Sequence, residues 1–182
     1  MTIYQTIARA VPSFIVALAI GAVSACSGAD NWRDYSSPNA PYRVMFPDKP
    51  SVHKRTIDLD GMKVDMTMTA VDRDGVVFAV GSAEAPDAAR AQAALGAMKT
   101  ALVNNIGATV TQEKARATAS TATGRRSAID IEASGMQNGA PMKLIGHFEA
   151  VDKRFYQVIV MGKDKAMPKQ QIEQFMTSFT IL

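Results

Sequence analysis

Few residues in this chain have types and spacing that could do chemistry. The two histidines are His53 and His147. From Met142 to Val151 the residues alternate, placing Met142, Leu144, Gly146 and Phe148 on one strand face and Lys143, His147 and Glu149 on the other. His147 there could act as a general base, but the pattern favours a solvated or cross-strand histidine. Ser51-Val52-His53-Lys54 matches Ser-x-x-Lys by letter. It sits in a strand pattern beside a proline turn, without a Lys-Thr-Gly partner, whereas the nucleophile motif opens a helix. No Gly-x-Ser-x-Gly elbow is present, and Gly162-Lys163-Asp164-Lys165 lacks the leading glycine of a phosphate loop. Met62, Met66 and Met68 line one strand face, with His53 supplied by the hairpin partner. Thioethers with an imidazole suit Cu(I). Even alternation nevertheless favours core packing, because a metal needs donors that converge. No catalytic, cofactor-binding or metal-ligating residue is therefore assigned, and no cofactor is expected.

The elements that must position these residues read mainly as strands. Tyr42–Phe46 is stopped by Pro47-Asp48-Lys49-Pro50, and Val52–Leu59 by Asp60-Gly61. Met62–Val71 alternates as a half-buried antiparallel strand does, with Met62, Val64, Met66, Met68 and Ala70 on one face and Lys63, Asp65, Thr67 and Thr69 on the other. Asp74-Gly75 turns the chain into Val76–Gly81, apolar on both faces and hence central. The spacing of Ala91, Leu95, Met98, Leu102 and Ile106 predicts a helix over Asp87–Ile106, opened at Pro86-Asp87 and stopped by Gly107. Further strands are expected at Thr109–Ala115, Arg126–Ala133, Met142–Val151 and Phe155–Met161, with a loop over Ala117–Thr123. Pro168 opens a short helix through Phe175 and Met176. Strands grouped around one main helix and joined by tight turns imply an α+β fold, mainly antiparallel sheet with packed helices.

Ahead of that domain the chain reads as a targeting segment. Met1–Ala10 carries Arg9 as its only charge, and Phe14–Val23 is apolar. A membrane-spanning helix needs roughly 20 predominantly apolar residues, so this run has the length of a secretory signal instead. The expected organisation is a cleaved signal over 1–25, a flexible tether over 26–40 rich in Ser, Gly, Asn and Ala, and a single α+β domain over 41–182. Removing the signal takes one arginine and no acid, lowering the formal charge from +3 to +2. The basic pairs Lys54-Arg55, Arg125-Arg126 and Lys153-Arg154 are interspersed with acids, which argues for solvated faces and against a nucleic-acid partner.

Val23-Ser24-Ala25-Cys26 resembles the lipobox of bacterial lipoproteins. The resemblance implies cleavage between Ala25 and Cys26, S-diacylglycerol on the Cys26 thiol and an N-acyl chain on the new amino terminus, which together anchor stably. Ordinary signal cleavage would leave Cys26 as a free thiol. Cys26 is the single cysteine, at the one position lipidation requires, which favours the lipoprotein. Ser27 in place of an aspartate favours the outer membrane over the inner, with the domain facing the periplasm.

The domain itself resembles the PsbP/Mog-like (DcrB-like) α/β/α sandwich family. Tyr42-Arg43-Val44-Met45-Phe46-Pro47-Asp48-Lys49-Pro50 is similar to that group's opening motif. Arg154–Val160 and Phe175-Met176-Thr177-Ser178-Phe179 are similar to its closing strand and ending. The likeness spans about residue 41 to the C-terminus and implies a fold, with no catalytic set carried across. The expected function is that of a lipid-anchored cell-envelope protein with a non-catalytic accessory domain, not an enzyme, whose partners are the membrane and an envelope protein. The alternatives are a small-molecule or copper-binding lipoprotein, and an unrecognised hydrolase using His147 or His53. The sequence leaves the oligomeric state and the partner's identity open.

Overall fold

A computed structural model of the chain describes residues 31–121 and 124–182, with side chains for all of these except 117–121, 124 and 125. Cys26, the Ala25–Cys26 bond and the signal segment lie outside the described residues. The fold is α+β and mainly antiparallel, as the strand and helix patterns imply.

Seven long strands form one antiparallel sheet: β3 (Ser51–Leu59), β4 (Met62–Arg73), β5 (Val76–Glu84), β6 (Ala108–Thr121), β7 (Gly124–Gln137), β8 (Ala140–Val151) and β9 (Arg154–Lys163), in the order β3-β4-β5-β9-β8-β7-β6. Tight hairpins set the register. Asp60-Gly61, Asp74-Gly75 and Asn138-Gly139 each place two successive residues at positive φ, between 50° and 83°. This is the two-residue turn whose twist matches that of the flanking strands. The inner strands β5 and β9 are buried on both faces, as continuous apolar runs must be.

One face of the sheet is covered by α1 (Ala88–Asn105). Asp87 caps this helix by accepting a hydrogen bond from the Arg90 backbone N–H at 2.8 Å, and Gly107 at φ +56° ends it. Leu95 and Met98 pack there against Leu144, Phe148, Phe155 and Ile159. The opposite face is covered by α2 (Lys169–Ser178) and by a second, three-stranded sheet of β1 (Arg33–Ser36), β2 (Tyr42–Phe46) and β10 (Thr180–Ile181), ordered β1-β2-β10. Tyr42, Phe46, Phe78, Tyr156 and Phe175 form the core of this side. Phe175 lies against both Phe46 and Phe78, with centroids 5.3 and 5.4 Å apart.

Two sequence expectations are corrected. The stretch read as a loop over Ala117–Thr123 belongs to the β6–β7 hairpin as far as Thr121, and β7 resumes at Gly124. Threonine is a good strand former, and the lack of large apolar residues there hid the strand. The tether expected over 26–40 loses its later part, because Arg33–Ser36 pairs with β2. The Tyr35 ring anchors it against Tyr42 and Phe46. A four-residue polar strand is too short to show alternation. No helix among the described residues is long and apolar enough to cross a membrane.

A candidate functional site around His147

The alternation of β8 puts Met142, Leu144, Gly146 and Phe148 toward α1, as the sequence implies, and sends His147 and Glu149 to the other face. That second face is not solvated. The C-terminal segment after α2 runs across it, so the His147 side chain is 17 % exposed and that of Glu149 only 4 %. The expectation of a solvated histidine is therefore corrected. The cover comes from Phe179, whose ring lies 6.2 Å from the imidazole and 5.8 Å from both Tyr42 and Tyr156.

Neighbouring strands complete a charged network. Asp130 on β7 is the direct register partner of His147 and accepts from its Nδ1 at 2.5 Å. Glu149, two residues further along β8, accepts from its Nε2 at 3.2 Å. Arg116 on β6 reaches Asp130 Oδ2 at 2.8 Å, and the Nε of Arg126 on β7 pairs with Glu149 Oε1. The row reads cation, anion, cation, anion, cation across three strands. Burial alone would favour a neutral imidazole. The hydrogen bonds and charges of Glu149 and Asp130 outweigh it, raising the His147 pKa above its ordinary value. Burial likewise opposes ionisation of Asp130 and Glu149. The imidazolium, with Arg116 on Asp130 and Arg126 on Glu149, reverses that and holds both carboxylates below their ordinary values.

Two cavities flank the network and share Arg126 and Ile181. One, of about 680 Å³, runs over His147, Glu149 and Phe179. The other, of about 730 Å³, lies beside Tyr156, Glu84 and Arg154. The Tyr156 ring is fully buried, and among the described residues its hydroxyl has no hydrogen-bond partner. Burial pushes its pKa up to about 12, with the Arg154 charge opposing, so the group stays protonated. Tyr42 differs: its hydroxyl meets Thr69 Oγ1 at 3.1 Å beneath the same aromatic cover.

His53 is not part of this site. It sits exposed on the edge strand β3, opposite Met68. Met66 is buried in the α1-side core, and Met68 Sδ accepts from Gln157 Nε2 at 3.4 Å. His53 and Met68 thus face each other across the strand pair, while Met66 stands opposite Arg55 and Met62 opposite Leu59. Ser51 opens β3, its hydroxyl donating to the Ala70 carbonyl, and Lys54 pairs with Asp65 at 3.1 Å. Among the described residues, no three His, Cys, Asp or Glu side chains are arranged to hold a metal ion.

Sequence reasoning had found His147 and Glu149 but missed Asp130, Arg116 and Arg126 as their partners. An Asp at alternate spacing on a neighbouring strand is a signal only once the register is known. No protein-family model and no curated protein sequence matches this chain.

Proposed function

We propose that this chain is a lipid-anchored cell-envelope protein whose domain acts as a non-catalytic accessory module. The observation that carries the non-catalytic reading is the geometry around His147. Both of its ring nitrogens are committed to carboxylates. A general base needs a free nitrogen within reach of the proton it removes, and an imidazolium held between Asp130 and Glu149 has none. Among the described residues, this cluster is an ion network that ties three strands together beneath the C-terminal segment. One helix on each face of a central antiparallel sheet supports a PsbP/Mog-like α/β/α sandwich, a family resemblance that also rests on the Tyr42–Pro50 and Phe175–Phe179 motifs.

The anchor rests on Val23-Ser24-Ala25-Cys26. It accounts for the single cysteine and directs the domain to the periplasmic side, with the outer membrane favoured. Cys26→Ala is expected to abolish fatty-acid labelling and to release the protein from membranes; persistence of both in the variant rejects the anchor. Crosslinking in cells followed by pull-down tests the accessory role. A specific protein partner is the expected result, and robust turnover of a substrate by the purified protein rejects it.

One observation favours small-molecule binding as a second reading: Tyr156 lines the 730 Å³ cavity, and among the described residues its buried hydroxyl has no partner. Native mass spectrometry of the gently purified protein tests it. A bound small molecule that is lost in Tyr156→Phe would support that reading over the first.

A further inference from the structure

The seven-stranded sheet has two edges, and they differ. β6 is broken by register shifts between Val110 and Gln112 and between Arg116 and Ala119, irregularities that discourage another strand from pairing alongside. β3 pairs with β4 in unbroken register from Ser51 to Leu59. Its first six residues are exposed on both faces, including Val52 at 45 %, and no described strand covers its outer side. A regular, uncovered edge offers a row of backbone donors and acceptors to an added strand.

The side chains along this edge divide sharply. On the face toward α1, His53 and Arg55 are followed by Ile57 and Leu59, the register partners of Met68, Met66, Val64 and Met62. The apolar end opens onto a groove of about 770 Å³ between α1 and the β3–β4 turn, lined by Leu59, Met62, Ala94, Ala97 and Arg90. Lys54 and Arg55 on this edge oppose the registers of self-pairing that set them against their own copies, because like charges then meet across the new ladder. The same residues attract acidic ones.

We propose that β3 is the docking edge for an extended segment of a partner protein, added antiparallel as an eighth strand. On one face that segment carries two apolar residues, opposite Leu59 and Ile57, followed by two acidic residues, opposite Arg55 and His53. Backbone pairing supplies the shared affinity, and the alternate side chains supply the choice of partner. This deepens the accessory reading and rests on it, while requiring nothing of the lipid anchor.

The probe is a fluorescent peptide with the core Ile-Thr-Val-Thr-Glu-Thr-Glu, titrated against the purified full chain and followed by anisotropy and hydrogen exchange. Saturation is expected to slow amide exchange along β3 and leave β6 unchanged. The double variant His53→Glu with Arg55→Glu is expected to weaken binding at least tenfold. A peptide with lysine in place of both glutamates should recover it. Protection at β6, no protection at all, or failure of the lysine peptide to bind the double variant overturns the inference. A partner crosslinked in cells only through another face overturns it too, yet leaves the accessory reading standing. A Cys26→Ala chain that binds the peptide normally separates this inference from the anchor.

Discussion

Asp130 and His147 face each other across β7 and β8 as direct register partners, with the carboxylate 2.5 Å from the imidazole Nδ1. The pairing makes the stability of the domain pH-dependent in a definite direction. The folded-state pKa of His147 is raised, so its contribution is complete below the unfolded value of about 6.5 and is lost as pH rises through the folded one. Asp130 and Glu149 are lowered. Their share is present above the unfolded carboxylate values of about 4 and is lost as pH falls through the folded ones. The melting temperature of the native chain should therefore exceed that of His147→Gln most between about pH 5 and 6.5. The gap should narrow toward pH 8. A gap that widens from pH 7 to 9 rules this account out.

Glu149 and Arg126 form one ion pair with very unequal surroundings. The carboxylate side chain is 4 % exposed and the guanidinium 54 %. Glu149→Gln keeps the shape but removes the buried charge that two cations answer, and is expected to cost about 1–3 kcal/mol in urea unfolding. Arg126→Gln leaves Glu149 still bonded to His147, so its cost should stay below about 1 kcal/mol. Equal costs would show that the pair, and not the His147 bridge, keeps Glu149 ionised.

Much of the architecture can be read directly from residue patterns. Asp87 and Gly107 bracket α1 because capping and left-handed termination are local chemistry, and Asp60-Gly61 and Asp74-Gly75 fix their hairpins for the same reason. The alternation of β4 and β8 likewise assigns Met66 and Phe148 to the α1-side core. Alternation says which residues share a face, but not what covers it. His147 is sheltered by Phe179, more than thirty positions away, and its partner Asp130 is fixed only by the β7–β8 register. Arg33–Ser36 was equally hidden, since its strand depends on pairing with β2 and on the rings around Tyr35. Long-range pairing, not local propensity, builds this site.

The two buried tyrosines should respond in opposite senses to the same edit. Tyr42→Phe removes the partner of Thr69, whose hydroxyl is fully buried, and should cost about 1–3 kcal/mol by stranding it. Tyr156→Phe deletes a hydroxyl that has no partner among the described residues. Its stability should be unchanged or higher, because a buried polar group without a hydrogen bond is itself a cost. Paired urea titrations check this, and a destabilised Tyr156→Phe would reveal a hidden partner for that oxygen.

Two glycines make a sharper contrast, because each is replaced by the same methyl group. Gly135 on β7 stands directly opposite Ala108 on β6. A Cβ there would lie 2.7 Å from the Ala108 Cα and 2.9 Å from the Gly107 carbonyl oxygen, both backbone atoms. These atoms lie where Gly107 leads into the start of β6, so relief of the clash requires the backbone there to shift. Gly135→Ala is expected to cost about 1–3 kcal/mol, the range for overpacking a well-filled site. Gly96 lies within α1 and meets nothing within 4 Å of an added Cβ. Its replacement brings helix propensity without a steric penalty, and Gly96→Ala should raise stability by roughly 0.5–1 kcal/mol. Thermal unfolding of the two variants should thus move in opposite directions from the native chain. A stabilised Gly135→Ala would mean that β6 and β7 do not approach as closely at Ala108 as their register requires.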